Sequence, residues 1–593
     1  MQPGFIEEDV AGKAYDSRLM KRLLPYILPY KKQIIIAATL LVCTSVFAIS
    51  GPLLTQYAID EYVSIGDYNG LLKITVLFIF ISGLSFIFQY FHFFLMQMTG
   101  QKIMFDMRSR IFTVLQSRSL SFFDRNPIGR LVTRLTTDVD ALNEMFASGI
   151  VTILGDILLL MGFIGLMLYF NVKLALITLS VIPLLFITAF IFKRKAREGF
   201  RNIRKYIARI NSFLQENITG MSIVQLFGRE KKNFRQFERI NADHLRAHLR
   251  TIFYFAVFFP SVEILSSFAI VLILWFGGID IMSGDLTLGK LVAFIMTAQR
   301  FYRPIQDLSE KYNILQSAFA SSERIFGLLD NTDEIQDDKN PVELTETKGD
   351  IEFENVWFAY KDNDWILKDV TFSVTAGEKV AIVGATGSGK TTMINLLSKF
   401  YLINKGSILI DGININRINK HSLRKSIGVV LQDVFIFSGS VRDNITLGNE
   451  KITEAELLKA AEDAEVASFI DKLENRFEEE VMERGANFST GQKQLISFAR
   501  TLIYNPQILV LDEATSNIDT ETELLIQKAI NRLMEGRTSI IIAHRLSTIK
   551  NVDRIIVMHK GRIRETGTHR ELLKSRGIYY KLYQLQYKDQ EIN

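Results

Sequence analysis

Long apolar runs alternate with long polar ones in the first half of the chain, and short apolar runs alternate with polar turns in the second half. Crossing a hydrocarbon layer about 30 Å thick takes roughly 20 apolar helical residues. Six segments meet that need, at about 33–55, 72–95, 150–170, 174–192, 253–276 and 288–304. Short polar linkers join the first to the second, the third to the fourth and the fifth to the sixth. Much longer polar stretches, at about 97–148 and 193–250, separate these pairs. For most of their length the long stretches lack Gly/Pro clusters. They predict continuations of the membrane helices, and about 25 helical residues would project ~40 Å beyond the bilayer.

After an acidic, aperiodic linker at 330–348, the pattern changes. IEFENVWFAY, KVAIVG, SILIDG, IGVVLQ, ILVLD and TSIIIAH read as strands, and TTMINLLSKF reads as a helix. Strands alternating with helices predict an α/β domain over 349–586. The expected organisation is an N-terminal segment with an elbow helix (1–32), a helical membrane domain (33–329), the linker (330–348), the α/β domain and a short tail (587–593).

Charge orients the membrane half. Arg108, Arg110, Arg118, Arg125, Arg130 and Arg134 lie in the first long stretch, and Lys193, Arg194, Lys195, Arg197 and Arg201 open the second. The short linkers carry Asp60, Glu61, Asp67, Asp280 and Asp285 instead. The positive-inside rule then puts both long stretches, the α/β domain and both termini in the cytoplasm of a multi-pass protein of the cell membrane. The net charge of +5 among 593 residues gives no reason to expect nucleic acid. Cys43 is the single cysteine, which excludes an intrachain disulfide and leaves no cysteine-based metal site. The first apolar run is too long for a cleaved signal, and with roughly 30 residues before it no peptidase domain is expected.

The α/β half carries the chemistry. GATGSGKT (Gly384, Ala385, Thr386, Gly387, Ser388, Gly389, Lys390, Thr391), followed by Thr392, lies between an apolar strand and a helix. That context is what a nucleotide phosphate loop needs: glycines let backbone N–H groups crowd around phosphate oxygens at a helix N-terminus. Lys390 is expected to reach the β/γ phosphates of ATP and Thr391 to ligate Mg²⁺. The strand ILVLD ends in Asp512, suited to the metal, and Glu513, suited to orienting or deprotonating a water. His544 follows another apolar strand.

With these residues in order, the chain resembles an ATP-binding-cassette exporter half-transporter, six membrane helices fused to one cassette, from about residue 15 to 586. The resemblance implies further roles. Tyr360 stacks on adenine. Gln432 couples the metal site to the membrane domain and joins Thr391 and Asp512 as a Mg²⁺ ligand. His544 contacts the γ-phosphate. Ser516 and Asp519 belong to a loop that crosses between cassettes. Glu483-Arg484-Gly485 precedes the signature, which here reads Phe488-Ser489-Thr490-Gly491-Gln492. FFDRNPIGRLVTRLTTDVD (Phe122–Asp140) and ENITGMSIVQLFGRE (Glu216–Glu230) resemble the two intracellular coupling loops. The resemblance also implies a dimer, in which each ATP lies between the phosphate loop of one cassette and the signature of the other.

The family usually has glycine where this chain has Thr490. A β-branched residue there restricts the backbone and crowds the partner's phosphate, and misplacement of up to an ångström can cost about a hundredfold in rate. The expectation is therefore one half of a heterodimeric exporter. This chain would supply Lys390, Gln432, Asp512, Glu513 and His544, and a partner half-transporter would supply the good signature. A homodimeric lipid flippase or multidrug exporter that tolerates the threonine is the alternative. A different class, an ATP-gated channel, is disfavoured by intact Glu513 and His544. An importer is disfavoured by the fusion of cassette and membrane domain, and a soluble repair or translation cassette by the six apolar spans.

The expected activity is ATP-driven export of amphipathic small molecules, drug-like compounds or lipids, by alternating access. Aromatic clusters (Phe86–Phe94 and Phe253–Phe259) could bind apolar cargo, but aromatic-rich membrane helices more often face lipid or pack together. Glu263 and Asp156 are ionisable groups inside predicted spans, where such groups face a cavity or a partner. Glu263 is the candidate for attracting cationic cargo.

Overall fold

A computed structural model describes residues 16–586 apart from 362–363, 513–519 and 544–548. It divides into two compact units, Met1–Gln116 with Gly129–Asn331, and Ser117–Ile128 with Thr332–Asn593.

The first unit is helical. A short amphipathic helix, α1 (Ser17–Ile27), precedes α2 (Lys31–Tyr57) and α3 (Tyr68–Ser117). The chain continues through α4 (Leu120–Arg125), which lies in the second unit, to α5 (Ile128–Leu135) and α6 (Thr137–Glu144). Then come α7 (Ile150–Phe170), α8 (Val172–Leu179), α9 (Ile182–Thr219), the short α10 (Met221–Leu226), α11 (Glu230–Met282) and α12 (Leu288–Asp330). At 50 and 53 residues, α3 and α11 run ~75–80 Å, far beyond a bilayer, so apolar span and polar extension are one helix. Among the described residues, five helical stretches are long and apolar enough to cross a membrane. The sixth predicted segment forms the start of α12, where Lys290 and Arg300 dilute a run of about 17 residues.

Close packing explains several small residues here. A Cβ on Gly155 of α7 would meet Leu41 of α2 at 2.7 Å, and one on Gly162 would meet Ile49 at 2.2 Å. The two glycines are the holes into which α2 sets its branched side chains, the small-residue contact that brings membrane helices together. Phe163, Met167, Leu174, Ile273 and Phe294 close a core between α7, α8, α11 and α12. Helices α9 and α11 pack along each other, whereas α12 packs on α7, α2 and α6. Buried charge is paired. Asp138 on α6 accepts from Arg134 at 2.6 Å and from Arg324 of α12, and Asp156 pairs with Lys311. That ion pair gives Asp156 the partner expected of it.

The second unit is α/β. Strands β1 (Ile351–Ala359), β2 (Trp365–Val374), β4 (Lys405–Ile410) and β5 (Ile413–Asn414) form an antiparallel sheet in the order β2-β1-β4-β5. Two short strands, β7 (Gly439–Ser440) and β8 (Glu480–Val481), pair with each other, and a six-stranded sheet has the order β12-β11-β3-β10-β9-β6. It comprises β3 (Lys379–Gly384), β6 (Ile427–Val430), β9 (Ile508–Asp512), β10 (Thr538–Ile542), β11 (Arg554–His559) and β12 (Arg562–Gly567). All its pairings are parallel except β11 with β12. Every residue of β9 and β10 is buried, as a parallel sheet covered on both faces requires. Alternate residues divide between two cores: Leu509 and Leu511 join one, Ile508 and Val510 the other.

Candidate nucleotide site

The predicted phosphate loop leaves the end of β3, a strand flanked by β10 and β11. Helix α13 (Lys390–Leu397) starts at its lysine, behind Gly389 at φ +102°. Only glycine takes that conformation at little cost, and a Cβ there would also meet Leu367 at 2.6 Å. A Cβ on Gly384 would stand 2.4 Å from the Met558 carbonyl. Ala385, Thr386 and Gly387 form the open side of the loop, and Thr391 is exposed beside them. Ser388, Lys390 and Thr392 are buried.

The loop has capacity to spare for an anion. The buried Ser388 hydroxyl has no hydrogen-bond partner among the described residues, and such an orphan is costly without a ligand. Lys390 donates from Nζ to the Gly384 carbonyl at 2.8 Å and the Ala385 carbonyl at 3.2 Å, so its ammonium lies folded under the loop. Burial pulls its pKa below the ordinary lysine value, and the Asp512 carboxylate opposes that. These features fit a polyphosphate.

Strand register brings the predicted metal ligands to the same sheet end. Ile542 of β10 lies opposite both Ile382 and Asp512. Thr391 donates from Oγ1 to Asp512 Oδ2 at 3.3 Å, and Asp512 is 5% exposed. Val430 pairs with Leu511, and Gln432 follows two residues on. Hydroxyl, carboxylate and amide oxygen are the donor types that Mg²⁺ accepts. Glu513, Ser516, Asp519 and His544 lie outside the described residues.

Tyr360 is 45% exposed. Its hydroxyl donates to Thr392 Oγ1 at 3.3 Å and accepts from Asn395 Nδ2 at 3.4 Å, both on α13. Phe358 and Tyr401 stand edge-on to its ring, at 4.8 and 5.1 Å between centroids.

The signature opens α14 (Thr490–Ile503). Ser489 caps that helix, accepting from the Gln492 N–H at 3.2 Å while the Gln492 side chain accepts from the Ser489 N–H at 2.9 Å. Phe488 is buried and stands near Phe469, and Gly491 is buried. Thr490 is exposed in the first helical position. This corrects one expectation: position 490 has ordinary helical backbone, which a β-branched residue adopts, so the threonine strains nothing within its own chain. Left-handed residues occur earlier, at Arg484 (φ 55°) and Gly485 (φ 64°).

Sequence reasoning missed how α4 is held. Asp333 accepts from the Ser119 hydroxyl at 2.8 Å and the Ser121 hydroxyl at 3.1 Å, and Arg125 also pairs with it. Tyr401 donates to Asp124. No local pattern marks partners more than 200 residues apart.

Comparison with known proteins agrees in both halves. Residues 34–305 match the family model described as the ABC transporter transmembrane region, and residues 367–516 match the one described as ABC transporter. An uncharacterized ABC transporter ATP-binding protein of Bacillus subtilis, YknV, is 38% identical over 98% of this chain and 97% of its own. An ATP-dependent lipid A-core flippase of Syntrophus aciditrophicus is 35% identical over 97% of this chain and 95% of its own. A probable multidrug resistance ATP-binding/permease protein of B. subtilis, YheH, is 37% identical over 88% of this chain and 76% of its own. With the membrane helices and the phosphate-loop domain in one polypeptide, the chain belongs to the ABC transporter family and is an ATP-hydrolysing, multi-pass membrane transporter.

Proposed function

We propose that the protein exports amphipathic small molecules, drug-like compounds or lipids, by alternating access as a dimer of half-transporters. The observation that carries this reading is the continuity of apolar span and polar rod in α3, α9 and α11 within a chain that also holds the phosphate loop. Rods of that kind can carry cassette closure to the bilayer. Relatives named as lipid flippase and multidrug resistance proteins support export and the cargo class.

In this reading Lys390 and Ser388 bind the phosphates and Tyr360 stacks on adenine. Thr391, Asp512 and Gln432 hold Mg²⁺, which neutralises charge on the phosphates when bound. Glu513 orients the attacking water, and His544 contacts the γ-phosphate. Ser489–Gln492 face the partner's nucleotide. The apolar side chains of Met221, Ile223, Leu226 and Phe227 around α10 are exposed, which supports a second subunit that covers them.

The heterodimer now rests on the side chain of Thr490 alone, pressing on a partner's phosphate. The relaxed backbone at that position favours the homodimer as the second reading. ATPase activity of the chain purified in nanodiscs, with Glu513→Gln as the blank, separates them. Robust turnover by the chain alone supports the homodimer. Turnover that appears only with a second half-transporter supports the heterodimer.

A further inference from the structure

The described surface holds one contact that connects the adenine end of the nucleotide site to the first coupling turn. Helix α4 lies within the cassette's own unit. On α4, Asp124 accepts the hydrogen bond of the Tyr401 hydroxyl. The Tyr401 ring stands at 88° to the Tyr360 ring with 5.1 Å between centroids, and at 67° to Phe358 with 5.9 Å. Tyr360 is fixed at its far end by Thr392 and Asn395, on the helix that follows the phosphate loop. An edge-to-face ring contact defines the tilt of both rings, and pairs of this kind contribute about 0.5–1.5 kcal/mol beyond burial. Tilt of Tyr360 and position of α4 therefore share one side chain, Tyr401. Burial, and after it the Asp124 carboxylate, push the Tyr401 phenol above its ordinary pKa, so it stays a neutral donor.

The other end of α4 is held differently. Ser119, Ser121 and Arg125 all bond to Asp333, in the connection that follows α12. The coupling turn thus has one attachment to the chain leaving the membrane helices and another to the base end of the nucleotide site. Only the second can report whether a base is present.

We propose that Asp124 and Tyr401 are positioning residues that link stacking of a nucleotide base on Tyr360 to displacement of the coupling turn Ser117–Ile128. This rests on Tyr360 being the adenine-stacking residue. Linkage makes the effect reciprocal: whatever the base does to the turn, the turn does to base affinity. A ligand with phosphates but no base fills the loop and leaves the turn unmoved.

The test is amide hydrogen exchange of Ser117–Ile128 in the full chain in nanodiscs, with Glu513→Gln as background to prevent turnover. ATP is compared with inorganic tripolyphosphate, each with Mg²⁺. In the parent, ATP is expected to change exchange in this segment about fivefold more than tripolyphosphate does, the low end of typical couplings. Tyr401→Phe keeps the ring and removes only the hydroxyl. It is expected to abolish that difference while leaving exchange without nucleotide unchanged, a readout that a merely structural role would not move. Asp124→Ala is expected to match it, and the double variant to add nothing further. Equal base dependence in Tyr401→Phe and parent would overturn the relay. Tyr360→Ala isolates its premise: unchanged ATP affinity in that variant removes the stacking role itself, and the relay with it.

Discussion

Arg300 of α12 donates from Nη1 to the carbonyl of Ala48 in α2 at 3.2 Å. In an unbroken α-helix that carbonyl accepts from the residue four positions on, and here that residue is Pro52, which has no N–H. An arginine at membrane depth thus stands in for the missing donor and holds α12 to α2. Removing it leaves a carbonyl orphaned where water is scarce, at a cost of about 1–3 kcal/mol. Arg300→Met is expected to lower the melting temperature of the purified protein in detergent. Pro52→Ala, which restores the helical donor, is expected to recover much of that loss. Equal destabilisation by Arg300→Met in the Pro52→Ala background would refute the substitution of one donor for the other.

A second expectation concerns acid. Glu378 lies at the turn between β2 and β3 and accepts from Arg554 Nε at 2.7 Å and from the Thr375 N–H at 2.9 Å. Burial alone would raise its pKa, but the bonds from Arg554 and Thr375 outweigh burial and hold the carboxyl below the ordinary glutamate value. A depressed folded-state pKa contributes stability that is present above the unfolded value, about 4.3, and fades as pH falls through the folded one. Glu378→Gln should therefore lower cassette stability at pH 7 by roughly 1–2 kcal/mol, the scale of a charged hydrogen bond. The gap between variant and parent should begin to narrow near the unfolded value and close as pH falls through the depressed folded one. Thermal melts across that range check both statements.

The phosphate loop separates packing from binding. Gly384→Ala drives a Cβ against the backbone carbonyl of Met558, so it is expected to destabilise the cassette whether or not nucleotide is present. Gly387 has φ +78° with open space around it, so Gly387→Ala should cost about 1–2 kcal/mol through backbone strain alone. Its larger effect should be on ATP affinity, because the open space is where a phosphate would lie. Melting temperatures without nucleotide, set beside ATP titrations, distinguish the two glycines.

Much of this was legible in the sequence, for physical reasons. Spans of apolar residues and strands such as ILVLD announce themselves because burial is written residue by residue, and the phosphate loop because its glycines occur at fixed spacing. Thr490 shows a local signal passed over: Ser489 and Gln492 stand at the spacing of a capping box, which marks position 490 as the first helical residue. The pairs Arg300–Ala48, Tyr401–Asp124 and Asp333–Ser119 were invisible because each joins groups far apart in the chain.

Glu263 carries the cargo hypothesis. It is exposed on α11 in the span 253–276 and has neither ion pair nor hydrogen bond among the described residues, unlike Asp156. An unpaired carboxylate at that depth needs a wet cavity or a partner. Pro260, one turn away, frees the carbonyl of Ala256 as a second acceptor, and the exposed Phe253 and Phe259 add aromatic faces. Glu263→Gln is expected to weaken transport of lipophilic cations about tenfold, the effect of losing ~1.4 kcal/mol, with basal ATPase nearly intact. Equal transport of such cations by mutant and parent would remove the idea.

The most direct measurement of the central claim is uptake of tetraphenylphosphonium into inside-out vesicles, with ATP and with a non-hydrolysable analogue, for the parent and for Glu513→Gln. The dimer partner is co-expressed if the chain alone is idle. An ATP-driven exporter accumulates the cation above its equilibrium level in the parent with ATP only. Flux that persists with the analogue, or that Glu513→Gln leaves unchanged, would mean that the cassettes gate a passive path and that export is the wrong reading.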